Sequence, residues 1–167
     1  MARPLILRDG IALVAPLAVG LLGSIPTARA IPAWYRSLEK PAWNPPNWVF
    51  GPVWTTLYGL MGVALVLVRR APGADAGQRA RAQAIFGVQL ALNLAWSFVF
   101  FGGRDLRGAL GVIAALWISI LATMVSFWPI RRVAAALLVP YLAWVSFASL
   151  LNAEIARRNP SGSGSAG

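Results

Sequence analysis

The sequence predicts an all-α fold, an integral membrane bundle of five transmembrane helices that forms one domain over residues 1–158. Of the 167 residues, 58% are hydrophobic and only 12% are charged, whereas soluble domains carry about 25% charged residues. The hydrophobic residues form five stretches, each close to the roughly 20 residues with which a helix crosses a bilayer. Short turns separate the later stretches, so we expect no soluble domain.

The first helix is predicted at about residues 10–28. Met1 to Ala30 also fits a secretory signal, with Arg3 and Arg8 before the apolar run and Ala28-Arg29-Ala30 after it. The apolar run is longer than a signal peptide needs, and an arginine lies inside the supposed cleavage site. A retained helix is the preferred interpretation, and a cleaved signal is the alternative.

A stiff loop rich in tryptophan, at residues 29–46, is expected to join the first helix to the second. Proline has no backbone N–H and a fixed φ, so the three prolines between residues 41 and 46 predict an extended chain. The second helix follows at residues 47–68, and its entrance should lie at the membrane interface, where indoles prefer to sit. Asn47 is expected to cap this helix, because its side chain can accept from the free N–H groups of the first turn.

Three further helices are predicted at residues 79–101, 106–128 and 132–157. The turns between them are short, so consecutive helices must be antiparallel neighbours. Pro140 interrupts the last helix, which is tolerable where neighbouring helices cover the freed carbonyl. Residues 159–167 contain the run Ser-Gly-Ser-Gly-Ser-Ala-Gly, which is typical of a flexible linker or an expression remnant.

The residue inventory excludes several kinds of function. The chain has no cysteine, no histidine and five acidic residues, which lie near the predicted helix ends. We therefore expect no metal, no cofactor, no ordinary acid–base catalysis and no mid-membrane proton relay. The net charge of +10 could indicate a nucleic-acid partner, but the arginines lie between the apolar stretches, where they anchor a multi-pass membrane protein. Their almost equal division between the two sides leaves the orientation open.

The third helix has two faces that call for partners. Gln89 and Asn93 share one face with Trp96, and amides in the middle of a membrane are costly unless they pair across helices or meet a ligand. The opposite face carries small residues at four-residue spacing, namely Gly87, Ala91 and Ala95. Such a row packs helices closely, either inside the monomer or across a dimer contact.

Aromatic stripes on the second and fifth helices point to a pocket or to core packing. Trp54 and Tyr58 lie on the second helix, while Trp144, Ala148 and Asn152 follow one another on the fifth. Ala148 leaves a gap on an otherwise bulky face. Tryptophans around such a gap could form flat walls for a planar ligand.

Three motifs resemble the TspO family, which is also called the translocator protein or peripheral-type benzodiazepine receptor family. The first is Trp-Asn-Pro-Pro-x-Trp-Val-Phe-Gly-Pro-Val-Trp at residues 43–54. The second is Gln-Leu-Ala-Leu-Asn-x-Ala-Trp at residues 89–96, and the third is Val-Pro-Tyr-Leu-Ala-Trp at residues 139–144. Because they occur in the family's order and spacing, the resemblance covers nearly the whole chain and is highly specific.

The resemblance implies a five-helix membrane protein, usually a homodimer, that binds tetrapyrroles such as protoporphyrin IX and, in animals, cholesterol. It would lie in a bacterial cell membrane or outer membrane, and relatives lie in the mitochondrial outer membrane. Two polar contacts to the ligand would come from Trp54 and Asn93. Carried over by position, the ligand-binding residues are Trp43, Phe50, Trp54, Asn93, Trp96, Trp144, Ala148 and Leu151.

Three functions remain open on this basis. The first is a sensor, carrier or scavenger of tetrapyrroles, and the second is an enzyme that degrades porphyrin with light and oxygen. In some bacterial relatives the tryptophans matching Trp54 and Trp144 are the implicated catalytic pair. The third is a purely structural or translocating bundle. Ala153 stands where the cholesterol-recognition pattern needs a tyrosine, which argues against sterol binding of the animal type.

Overall fold

The computed structural model describes residues 2–160, with side chains from Leu7 onward, and all regular elements of this part are helical. Five segments are long and apolar enough to cross a membrane. The prediction of an all-α, five-span integral membrane protein is confirmed. The predicted linker at residues 161–167 and the side chain of Arg3 lie outside the described part. The helices are α1 (Ala2–Ala30), α2 (Asn47–Arg69), α3 (Ala76–Ser97), α4 (Leu106–Phe127), the short α5 (Arg132–Ala136) and α6 (Val139–Arg158).

The first helix extends well beyond residue 28, where the sequence predicts its end. It continues to Ala30 and then through a π-helical turn, Ile31–Tyr35. Pro32 cannot supply an N–H to the α-helical ladder, and a π-helical turn accommodates such a break. The turn buries Trp34 and Tyr35, so residues predicted to begin the loop belong to the packed bundle.

The first turns of α2 and α3 also differ from the prediction. Pro46 occupies the cap position of α2 and no side chain caps it, so the predicted Asn47 cap is wrong. Asn47 is instead the first helical residue. α3 begins at Ala76, earlier than predicted, because the Asp75 carboxylate accepts from the backbone N–H of Gln78 at 2.9 Å.

The fifth span is divided into α5 and α6 by Pro140. A proline ring clashes with the carbonyl four residues earlier and cannot donate to it, and α5 ends at that residue, Ala136. The chain resumes as α6 at Val139, with Leu142 donating its N–H to Leu138 at 3.0 Å. The predicted interruption at Pro140 is therefore a break between two helices.

The spans form a ring in the order α1, α2, α5/α6, α4 and α3. α1 packs along α2, α3 along α4, and α4 along α6, while α1 also touches α3 and α2 touches α5. The backbones of α1 and α2 approach closely at Gly62, where an added Cβ would collide with the carbonyl of Leu13. In contrast, α2 and α6 have hardly any close backbone contact, so side chains alone close the seam between them.

Candidate functional site

A partly enclosed cavity of about 470 Å³, which we call the internal cavity, lies between α1, α2, the end of α3 and α6. None of the described residues that line it is charged. Cavities of ~300–1,000 Å³ with mostly apolar walls hold small organic molecules, and this lining therefore suits a largely apolar ligand. The lining residues are Leu17, Gly20, Leu21, Gly23, Ser24, Thr27, Ile31, Tyr35, Asn47, Phe50, Gly51, Trp54, Thr55, Tyr58, Trp96, Ser97, Phe101, Trp144 and Ala148.

Indoles from three helices form much of the cavity wall. Trp54 of α2 stacks on Tyr58, with 5.5 Å between the ring centroids. Trp144 of α6 meets Phe50 edge to face at 5.9 Å, and Trp96 of α3 lines the same space. A planar ligand between these rings would meet aromatic surfaces on several sides.

The amide of Asn93 supports this wall from behind. Its Oδ1 accepts from the Tyr58 hydroxyl at 2.6 Å, and its Nδ2 donates to the Tyr141 hydroxyl at 3.1 Å. Asn93 is 2% exposed and is not part of the cavity lining. Its polar atoms are therefore used to connect α2, α3 and α6.

The indole N–H groups of Trp96 and Trp144, two residues of the cavity wall, differ in their partners. Trp96 donates to Asn152 Oδ1 at 3.2 Å, and Asn152 in turn donates to the Leu106 carbonyl at 3.0 Å. The Trp144 Nε1–H is buried and has no hydrogen-bond partner within the described residues. An unpaired buried donor costs roughly 1–3 kcal/mol, so a ligand acceptor that reached Trp144 would remove a penalty already present in the protein.

The tryptophan-rich loop is tied to the cavity through Tyr35. The Tyr35 hydroxyl donates to Asn44 Oδ1 at 2.9 Å. The Lys40 ammonium donates to the carbonyls of Tyr35 and Leu38 at 2.7 and 2.8 Å and lies 5.0 Å from the centroid of the Tyr35 ring. Burial lowers the pKa of Lys40 below its usual value. Lys40 thus satisfies carbonyls at the end of the first span and holds the start of the loop in place.

Asn159 fastens the same loop to the end of α6. Its Oδ1 accepts from the Glu39 N–H at 3.1 Å, and its Nδ2 donates to the Glu39 carbonyl at 3.0 Å. A second bond from Nδ2 reaches the Ile155 carbonyl at 2.8 Å. Asn159, which the sequence assigns to a flexible tail, is therefore hydrogen-bonded to the folded chain.

Asn159→Ala should loosen the loop while the bundle stays folded. Two hydrogen bonds to the Glu39 backbone, each contributing about 1 kcal/mol, are lost, so amide exchange of residues 36–44 should rise roughly tenfold or more. Hydrogen–deuterium exchange of the protein in nanodiscs measures this. Arg158→Ala is the matched control, because Arg158 bonds to Glu154 and not to the loop. Equal exchange in both variants would contradict the role of Asn159.

Five of the eight ligand-binding residues carried over by resemblance line one cavity, and three do not. Trp43 is 49% exposed and packs edge to face on Phe147 at 5.7 Å. Asn93 lies behind the wall, and Leu151 is buried in a cluster beside Trp34 on the loop side of the bundle. The five that share the cavity are Phe50, Trp54, Trp96, Trp144 and Ala148.

Sequence reasoning missed the contribution of the first span. α1 and its π-helical turn supply eight of the lining residues, from Leu17 to Tyr35. These are mainly small, aliphatic or hydroxyl-bearing residues, so α1 carries no aromatic stripe that would have revealed its role. Tyr35 lies eight residues before the first family motif, in the segment that leads to the prolines, and this position was the available signal.

The small row of α3 faces away from the rest of the chain. Gly87 and Ala91 are exposed and Ala95 is half-buried. A Cβ added to Gly87 would meet no other described atom within 4 Å. The alternative that this row packs inside the monomer is therefore wrong for Gly87.

The fold and the cavity together define a class of protein, a five-span helical membrane protein with an uncharged, tryptophan-walled internal cavity. The chain matches the TspO/MBR family over residues 12–158, and it belongs to that family.

Its relatives include bacterial and animal proteins. The chain is 46% identical over 144 residues to the tryptophan-rich protein TspO of Chlorobaculum tepidum, covering 86% of this chain and 90% of the relative. It is 42% identical over 126 residues to the tryptophan-rich sensory protein of Cereibacter sphaeroides, covering 75% and 77%. It is 41% identical over 126 residues to the human translocator protein, covering 75% of each chain.

Proposed function

We propose that the internal cavity binds a tetrapyrrole such as protoporphyrin IX and that the protein acts as a sensor, carrier or scavenger of such molecules. The observation that carries the proposal is the set of three indoles, Trp54, Trp96 and Trp144, around one uncharged space of about 470 Å³. A planar macrocycle can stack on such walls. Two relatives are named a sensory protein and a translocator protein, which supports a role in handling ligands.

Recognition in this cavity would rest on shape and stacking more than on polar groups. The hydroxyls of Ser24 and Thr55 already donate to the carbonyls of Leu21 and Gly51, at 2.7 and 2.9 Å. Among the described wall residues with buried polar atoms, Trp144 has the N–H that is free to donate to a ligand acceptor. None of the described lining residues is a cation, so the carboxylates of a porphyrin would gain little there.

Titration with two porphyrins tests this proposal. Protoporphyrin IX should quench the tryptophan fluorescence of the full chain in nanodiscs saturably. Its uncharged dimethyl ester should bind at least as tightly as the free acid, because the described lining holds no charge and burial of an unpaired carboxylate costs free energy. Quenching without saturation would contradict the proposal. An ester that binds more than about tenfold more weakly would place the site beside cations, outside this cavity.

A second candidate function uses the same cavity, namely breakdown of porphyrin by light and oxygen. Trp54 and Trp144 line one space, and Trp54 contacts the phenol rings of Tyr58 and Tyr141, with centroid distances of 5.5 and 6.2 Å. Such a cluster of oxidisable rings favours this candidate. The loss of the porphyrin Soret band under illumination separates it from binding alone. A Trp54→Phe, Trp144→Phe double variant that bleaches the bound porphyrin as fast as the wild type would rule the enzyme out.

We also propose that two copies associate through the outer face of α3. Its row of Gly87, Ala91 and Ala95 is accessible from outside, and rows of small residues let membrane helices approach backbone to backbone.

The double variant Gly87→Leu, Ala91→Leu should convert the dimer to a monomer, because the larger side chains separate the two backbones. Light scattering of the detergent complex, supported by cross-linking in nanodiscs, measures the state. Ala115→Leu is the matched control, since Ala115 is exposed on α4 and belongs neither to the small row of α3 nor to the cavity lining. A double variant that stays dimeric would place the contact elsewhere.

A further inference from the structure

A second apolar depression lies on the outside of the bundle between α2 and α6, and we refer to it as the lateral groove. It has a volume of about 600 Å³, and none of the nine described residues that line it is charged. The hydroxyl of Thr56 already donates to the Pro52 carbonyl at 2.9 Å. The walls include Pro52, Thr56 and Leu60 of α2 and Pro140, Ala143 and Phe147 of α6.

The lateral groove faces the hydrocarbon of the bilayer. Its residues lie inside the spans Asn47–Arg69 and Arg132–Arg158. On α2 they lie between the loop end and the middle of the span, and on α6 they lie near the middle of the span. A molecule dissolved in the membrane can therefore reach the groove without passing through water.

One described residue, Trp144, lines both the lateral groove and the internal cavity. On the cavity side it meets Phe50 at 5.9 Å, and it meets Phe147, a groove residue, at 5.4 Å between ring centroids. Its N–H has no partner within the described residues, so the indole can turn without breaking a hydrogen bond.

At this point α2 and α6 meet through side chains and not through close backbone contact. α2 is held mainly by α1, and α6 mainly by α4. The two helices have hardly any close backbone contact with each other. Movement of the Trp144 ring would therefore connect the two spaces without breaking a close backbone contact between α2 and α6.

We propose that the lateral groove is the entrance through which an apolar planar ligand passes from the bilayer into the internal cavity, with the Trp144 indole as the movable partition. Because it names the route to the same cavity, this inference rests on the proposed function. The absence of charge and of a free hydroxyl in the described lining fits a ligand that leaves hydrocarbon and not one that leaves water. A second copy of the chain is the other occupant that such a groove admits, and the experiment distinguishes it.

The experiment measures both rate constants of binding. Full-length protein in nanodiscs is mixed with phosphatidylcholine vesicles that carry protoporphyrin IX dimethyl ester, and tryptophan quenching is followed in a stopped-flow instrument. Excess empty vesicles then give the dissociation rate. Ala143→Phe fills the groove from α6, and Ala143 is exposed and does not line the cavity. Thr56→Phe fills it from α2 and serves if the first variant fails to fold.

Filling the groove should slow association and dissociation alike, each by about tenfold or more, while Kd stays within about twofold. An obstacle on the route raises the barrier in both directions and changes neither the free nor the bound state. Ala115→Phe, on the exposed side of α4, should behave as the wild type.

Wild-type rates in both groove variants would overturn the proposed route. So would a change in Kd at an unchanged association rate, because the variant would then act on the bound state. Loss of the dimer at unchanged rates would identify the groove as a contact between copies, which also overturns it. If the wild-type protein shows no saturable binding, the proposed function itself fails, and the route fails with it.

Discussion

Trp144→Ala should lower the affinity for protoporphyrin IX by at least about tenfold, which corresponds to ~1.4 kcal/mol. The indole lines the cavity and packs against Phe50 and Phe147. Truncation of a packed large aromatic side chain to alanine typically costs about 3–5 kcal/mol, and part of that loss here falls on the ligand contact. Porphyrin absorbance is the appropriate signal, since the variant also changes the tryptophan fluorescence.

Trp144→Phe separates the ring from its N–H. It keeps an aromatic wall and removes the donor, so the loss should be smaller, about threefold to tenfold, as expected for one hydrogen bond of about 0.5–1.5 kcal/mol. Thermal melting of both variants in the same detergent shows whether the bundle is intact. Normal affinity in a folded Trp144→Ala protein would exclude Trp144 from the site.

Ala148→Thr should also weaken binding by roughly tenfold or more, about 1.4 kcal/mol, with little change in melting temperature. Ala148 is half-buried and borders the cavity one turn beyond Trp144. The added atoms overfill the space, which costs ~1–3 kcal/mol in packed interiors. The new hydroxyl can bond to the Trp144 carbonyl and bend the helix, as those of Ser146 and Ser149 already bond to carbonyls one turn earlier, at 2.8 and 2.7 Å.

Ala153→Thr is the matched control for this substitution. Ala153 is exposed on the same helix and does not line the cavity, so the same chemical change there should leave affinity unaltered. Normal binding by Ala148→Thr would place Ala148 outside the ligand site. Failure of that variant to fold would instead make Ala148 a structural residue.

The five spans were predictable because a membrane imposes a simple rule on sequence. Each crossing needs about 20 apolar residues in helical form, and each span of this chain meets that requirement. The tryptophans at positions 54, 96 and 144 were also recognisable, since their motifs occur in the family's order. The cavity brings these three together, although they lie far apart in the chain.

Other features depend on tertiary contacts that hydrophobic patterns do not encode. The π-helical turn at Ile31–Tyr35 follows from a proline inside an apolar run, a combination that also occurs in loops. Asn93 was expected at the ligand, but two tyrosine hydroxyls, one on α2 and one on α6, bond to its amide. The bonds of Asn159 to Glu39 join residues 120 positions apart, and no local pattern predicts such a pairing.

A structure of the full chain with protoporphyrin IX bound in nanodiscs tests the central claim most directly, which is that the tryptophan-walled cavity is the ligand site. We expect the macrocycle between α1, α2 and α6, in contact with Trp54 and Trp144, and with an acceptor within hydrogen-bond reach of the Trp144 Nε1–H. A macrocycle bound on the outer surface, with the internal cavity unchanged and Trp144 still unpaired, would contradict the claim.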